Sequence, residues 1–193
     1  MNIDNNNLTY YQRTLQIKPI IESDKKILTT IENSIHKIYS QKIVSKKSML
    51  GQGTAHTVCT IGKIGIPHNQ ELYLALRQRY EYHITSQYPL AYELGAFEAA
   101  FFEGRNPPYF VCAIRTKIKE QDIYAMITED LSLGKKADTI EGPNHETCWV
   151  RTENNRELRF IDPEDYTEEN QILGEKYIQE ESIIDLTTLL KRR

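Results

Sequence analysis

Isoleucine recurs at Ile27, Ile31, Ile35 and Ile38, spacings of four, four and three residues. That interval returns each side chain to one side of a helix, which predicts an amphipathic helix running to about Gln41. Ser23 stands ahead of it as a candidate cap, and Lys25, Glu32 and Lys37 fall towards solvent. The preceding residues 1–22 have weak periodicity and read as an extended arm.

From residue 43 to 82 the pattern changes to strands. Val44 and Met49-Leu50 lead into Gly51-Gln52-Gly53, and Thr57-Val58-Cys59-Thr60-Ile61 is β-prone. Gly62, Gly65 and Pro67 punctuate a turn. In the next strand Leu72, Leu74 and Leu76 alternate with Tyr73, Ala75 and Arg77, so the two sets occupy opposite faces. Pro89 suits the first turn of a second helix, whose apolar face is Leu90, Leu94, Phe97 and Phe101. Gly104 and Pro107-Pro108 end it.

Tyr109 to Thr116 and Ile123 to Thr128 form a strand pair around the polar turn Lys117 to Asp122. A further hairpin joins Cys148–Arg151 to Leu158–Ile161 across Glu153-Asn154-Asn155. After Pro163 the tail is acidic and reads as helical, with Ile183, Leu186 and Leu190 on one stripe. The fold class is therefore α+β: a mainly antiparallel five-stranded sheet, a packed helix, a further hairpin, and N- and C-terminal helices. The five strands are expected within residues 43–130. One domain accounts for the 193 residues, divided into an arm and helix at 1–42, a core at 43–164 and a tail at 165–193.

Composition removes several functions. A net charge of -3, with no basic stripe between the aromatics, argues against nucleic acid as a partner. No run reaches the roughly 18 apolar residues that a membrane span needs. The first nine residues are polar and carry no secretory signal, although an unconventional export signal of the kind secreted bacterial effectors carry leaves no such trace. Cys59, Cys112 and Cys148 are odd in number and widely spaced, which fits inert thiols in a reducing, cytoplasmic compartment.

The segment Leu50-Gly51-Gln52-Gly53-Thr54-Ala55-His56-Thr57-Val58 resembles the glycine-rich loop of protein kinases. Gly51, Gly53 and Val58 match in position, and His56 stands where a third glycine is expected. Glycine serves there because backbone N–H groups must approach phosphate without a Cβ in the way. Leu74-Ala75-Leu76-Arg77 resembles the kinase strand that carries a lysine for the α- and β-phosphates, with Arg77 in its place. Arginine supplies the charge but has a flat, longer fork that is not equivalent to an ammonium.

The helix from Pro89 to Phe102 then falls where the kinase αC helix is expected. Glu93 lies 16 residues past Arg77 and Glu98 lies 21 past it. Both flank the apolar face, so helical geometry leaves either as the partner of Arg77, while sequence distance slightly favours Glu98. Glu129-Asp130-Leu131 resembles the hinge of small-molecule phosphotransferases, making Glu129 to Leu131 candidate adenine contacts. Leu158-Arg159-Phe160-Ile161-Asp162-Pro163-Glu164 resembles the strand and metal-binding aspartate of the same superfamily. Asp162 would hold the magnesium that bridges nucleotide phosphates.

The resemblance spans Leu50 to Glu164 and is incomplete. Between the hinge and the metal aspartate only Ser132 to Thr147 is available ahead of the further hairpin, too short for the two helices and catalytic loop of a kinase. Ile140 to Thr147 faintly echoes that loop, with Pro143 near the catalytic aspartate's position and Thr147 at the asparagine's. His145, Glu141 or Glu146 could serve chemically as the base, and His145 is the candidate carried forward. The resemblance thus implies a kinase-like protein that binds ATP and Mg2+ with reduced catalytic machinery, an atypical phosphotransferase if active. The alternatives are a pseudokinase-like module or an unrelated α+β protein-interaction module, either with a protein partner.

Overall fold

The computed structural model describes residues 10–44, 56–66, 70–79, 88–130, 136–138, 147–151, 156–160, 167–179 and 182–191. Helix α1 spans Tyr10–Ser23 and α2 spans Lys25–Val44. The expected isoleucine stripe of α2 is buried at all four positions, with Lys25 and Lys37 exposed and Glu32 half-buried. Each such burial contributes about 1.5–3 kcal/mol relative to exposure.

Three expectations for this region are corrected. Residues 10–22, read as part of an extended arm, are helical, with Ile17 and Ile21 one turn apart and buried. Pro19 sits inside this helix, a residue that sequence reading takes as a break. The cap of α2 is Asp24, whose Oδ1 accepts from the Ile27 N–H at 3.0 Å, while the Ser23 hydroxyl donates back to the Ile20 carbonyl. Val44, read as leading into a strand, is the last residue of α2.

The main sheet comprises β1 (His56–Ile66), β2 (Gln70–Arg79), β3 (Phe110–Ile118), β4 (Gln121–Glu129) and β8 (Ile183–Asp185). Their order is β1-β2-β4-β3-β8, antiparallel except where β8 runs parallel to β3. The fold class is the expected one, but the fifth strand comes from the tail rather than from residues 43–130. Ile183, expected on a helical stripe, lies instead in β8, three residues being too few to display alternation. Gly62 and Gly65 do not turn the chain. They lie within β1, where Gly62 sits at a register shift with φ 144°.

Helix α3 (Tyr88–Phe102) covers one face of the sheet, and α1 and α2 cover the other. Leu90, Leu94 and Phe97 of α3 are buried, with Phe101 half-buried beside them. Gly104, at φ 76°, ends the helix: its N–H donates to the Phe101 carbonyl and that of Arg105 to the Ala100 carbonyl. This pair of bonds needs the left-handed conformation that glycine adopts without penalty. The tail continues as α4 (Glu168–Glu175), a 3-10 turn (Lys176–Ile178), β8 and α5 (Leu186–Lys191). A second sheet, β5-β6-β7, joins Lys136–Asp138, Thr147–Arg151 and Arg156–Phe160, and contains the expected further hairpin.

Asp185 closes the tail onto the sheet. Its carboxylate accepts from Arg115 at 2.9 Å and from the Thr188 N–H at 3.1 Å, capping α5. Partial burial pushes the carboxyl up, but the Thr188 N–H and the Arg115 guanidinium outweigh it and hold the group below the usual carboxylate range.

The β3–β4 hairpin turns on Lys119 and Glu120, both left-handed at φ 51° and 63°. Such a two-residue turn favours Asn-Gly, because other side chains crowd the following carbonyl. The double substitution Lys119→Asn, Glu120→Gly is expected to stabilise the protein by about 1–2 kcal/mol. Urea denaturation monitored by circular dichroism checks this, and an unchanged or lowered midpoint would contradict the strain.

Candidate functional site

Strand alternation sends Leu74 and Leu76 into the core beneath α1 and α2, and turns Ala75 and Arg77 towards α3. The backbone of Arg77 is paired with Val58 on β1 and Met126 on β4. Val58 and Arg77, two of the expected site residues, are therefore cross-strand neighbours. Arg77 retains 10% of its side-chain exposure, and a charge so placed requires a partner.

Helix α3 supplies it. A guanidinium nitrogen of Arg77 lies 3.5 Å from Glu93 Oε1, and Glu93 is 2% exposed. The guanidinium carbon also sits 5.5 Å from the ring centroid of Phe97. Glu93 and Phe97 are four residues apart, so both reach the cation from one side of the helix. The partner of Arg77 is thus Glu93 and not Glu98, which sequence distance had favoured. Five residues further along, Glu98 faces another way and pairs with Lys176 from the 3-10 turn, with its own side chain fully buried.

A second charged cluster lies where β4 ends. Glu129 receives both terminal nitrogens of Arg159, a β7 residue. Arg159 also donates to the carbonyls of Asn106 and Pro107, at 3.2 and 2.9 Å. One buried guanidinium therefore joins β7, the end of β4 and the loop after α3. The Glu129 N–H donates to the Tyr109 carbonyl and the Asp130 N–H to the Tyr73 carbonyl, so both are occupied within the sheet. Asp130 is buried, and its carboxylate accepts from the Thr60 hydroxyl at 2.8 Å.

No protein-family model, curated protein or solved structure matches this chain.

Gly51, Gly53, Leu131, His145 and Asp162, together with Glu141 and Glu146, lie outside the described residues. Among the described residues no three His, Cys, Asp or Glu side chains are grouped to hold a metal, and no helix is long and apolar enough to cross a membrane. Cys59 and Cys112 are free thiols, and burial pushes that of Cys112 far above its ordinary range.

Sequence reasoning missed Arg159 and Lys176. Each is a basic residue in a segment judged on its apolar pattern, and the carboxylates they meet are distant in sequence. It also missed the glycines that join α3 to α4. Their one local signal was Ala91-x-x-x-Gly95, two small residues one helical turn apart.

Proposed function

We propose that this chain is a kinase-like, ATP-binding protein with reduced catalytic machinery, acting as an atypical phosphotransferase if catalytically active. The observation that supports this reading is the buried pair between Arg77 and Glu93. A cation on a sheet strand, held by a carboxylate of the helix that follows that strand, is the arrangement the resemblance implies for gripping nucleotide phosphates. Val58, opposite Arg77 in the strand register, brings the strand that follows the glycine-rich segment beside it.

In this reading Arg77 neutralises phosphate charge and Glu93 orients it. Gly51 and Gly53 let backbone N–H groups approach the phosphates, and Asp162 ligates Mg2+. His145 is the candidate base. The occupied N–H groups of Glu129 and Asp130 move any adenine contact by a hinge donor to Leu131 or beyond.

A second reading, a pseudokinase-like or other protein-binding module, draws on the short stretch from Ser132 to Thr147. There Pro143 and Thr147 stand at or near the positions that hold the aspartate and asparagine of the kinase catalytic loop.

Melting curves with ATP, with and without magnesium, test nucleotide binding, since a ligand of the native state raises the melting temperature by mass action. Gly53→Val is expected to abolish the shift while leaving the domain folded. An equal shift in the variant would refute the role of the loop. For transfer, labelled ATP incubated with a cell lysate should give labelled product that Asp162→Asn removes almost completely, because a neutral amide is a poor ligand for a hard cation. Nucleotide-dependent stabilisation without product in any lysate would favour the binding module.

A further inference from the structure

Helix α3 is held on two sides. Towards the sheet it presents Leu90, Leu94, Phe97 and Glu93. Towards the tail it presents Ala91, Gly95 and Glu98, which meet α4 and the 3-10 turn. The backbones touch: a Cβ on Gly95 would lie 1.6 Å from the Asn170 carbonyl oxygen, and one on Gly174 would lie 1.8 Å from that of Ala91. Beside this contact Lys176 reaches Glu98, a carboxylate with no solvent exposure.

We infer that Lys176 is a positioning residue, which together with the Gly95–Gly174 contact fixes the height and roll of α3 and so holds Glu93 against Arg77. The inference rests on the nucleotide-binding reading of Arg77 for its functional consequence, but not for its geometry. The close approach restrains sliding, because carbonyl oxygens lie against the faces left bare by the glycines. Lys176 restrains roll, because Glu98 can leave its partner only by carrying a bare charge through the interior. Glu93 lies on the same rigid helix, five residues or about 7.5 Å along its axis, so any displacement of Glu98 is transmitted to it.

The test uses the full chain and the variants Lys176→Met, Lys176→Arg and Lys176→Met with Glu98→Gln. Two readouts are taken: the NMR signal of the Arg77 Nε–H without ligand, and MgATP affinity by calorimetry. Positioning predicts that Lys176→Met shifts or broadens the Arg77 signal and weakens MgATP by at least about tenfold. Lys176→Arg should keep both near the wild-type values, and the double variant should recover both in part by removing the bare carboxylate. A lowered melting temperature with an unmoved Arg77 signal would overturn the inference, since Lys176 would then act on stability alone. Failure of the wild type to bind MgATP would instead sink the nucleotide reading, and the Arg77 signal would still decide the positioning role.

Discussion

Gly95→Ala is expected to destabilise the protein by about 3 kcal/mol or more, the upper end of what overpacking costs. In a helix interior the same change ordinarily stabilises by about 1 kcal/mol, because glycine loses more backbone freedom on folding. The sign reverses here because the new Cβ would stand 1.6 Å from the Asn170 carbonyl oxygen. That neighbour is backbone within α4, so no rotamer change relieves the overlap and the helices must separate. Gly174→Ala should act similarly through the Ala91 carbonyl, 1.8 Å from its new Cβ. The two changes open one interface, so the double variant should cost less than the sum of the singles. Urea denaturation of each variant checks this. An unchanged or raised midpoint for Gly95→Ala would contradict the contact.

Arg77→Met is expected to cost about 3–5 kcal/mol, because it breaks the buried ion pair with Glu93 by removing one partner. The Phe97 ring loses its charged neighbour as well, a smaller effect of about 0.5–2 kcal/mol. Arg77→Met combined with Glu93→Leu should regain much of the stability, since apolar groups can replace a buried pair at little cost. Nucleotide binding should be lost in both variants. This separates stability, which follows the pair, from the proposed phosphate recognition, which would follow the cation alone. If Arg77→Met were as stable as the wild type, Glu93 would not depend on Arg77.

Legibility of the sequence followed from how local each signal was. The isoleucines of α2 and the apolar face of α3 repeat over three turns or more, so periodicity located both. Alternation through Leu74, Leu76 and Arg77 gave β2, and put Arg77 on the face opposite the leucines. By contrast α1 carries an internal proline, which argues against a helix, and β8 has too few residues to show a pattern. Its place in the sheet depends on pairing with β3, which lies some seventy residues earlier. At the site, sequence supplied the cation and two candidate carboxylates. Helical geometry could not choose between them because both flank the same apolar face, and sequence distance favoured Glu98, whose partner lies on a different element. Glu93 meets a strand before the helix; Glu98 meets a lysine 78 residues later.

The proposed nucleotide site rests on Arg77, held by Glu93. Isothermal titration of MgATP into the wild type and into the variant with Arg77→Met and Glu93→Leu tests it most directly, because that pair of changes removes the cation without leaving a bare buried charge. A nucleotide site at Arg77 predicts saturable binding to the wild type, and loss of binding by a variant whose circular dichroism is unchanged. Absence of heat with the wild type at millimolar MgATP, or equal affinity in the folded variant, would contradict it.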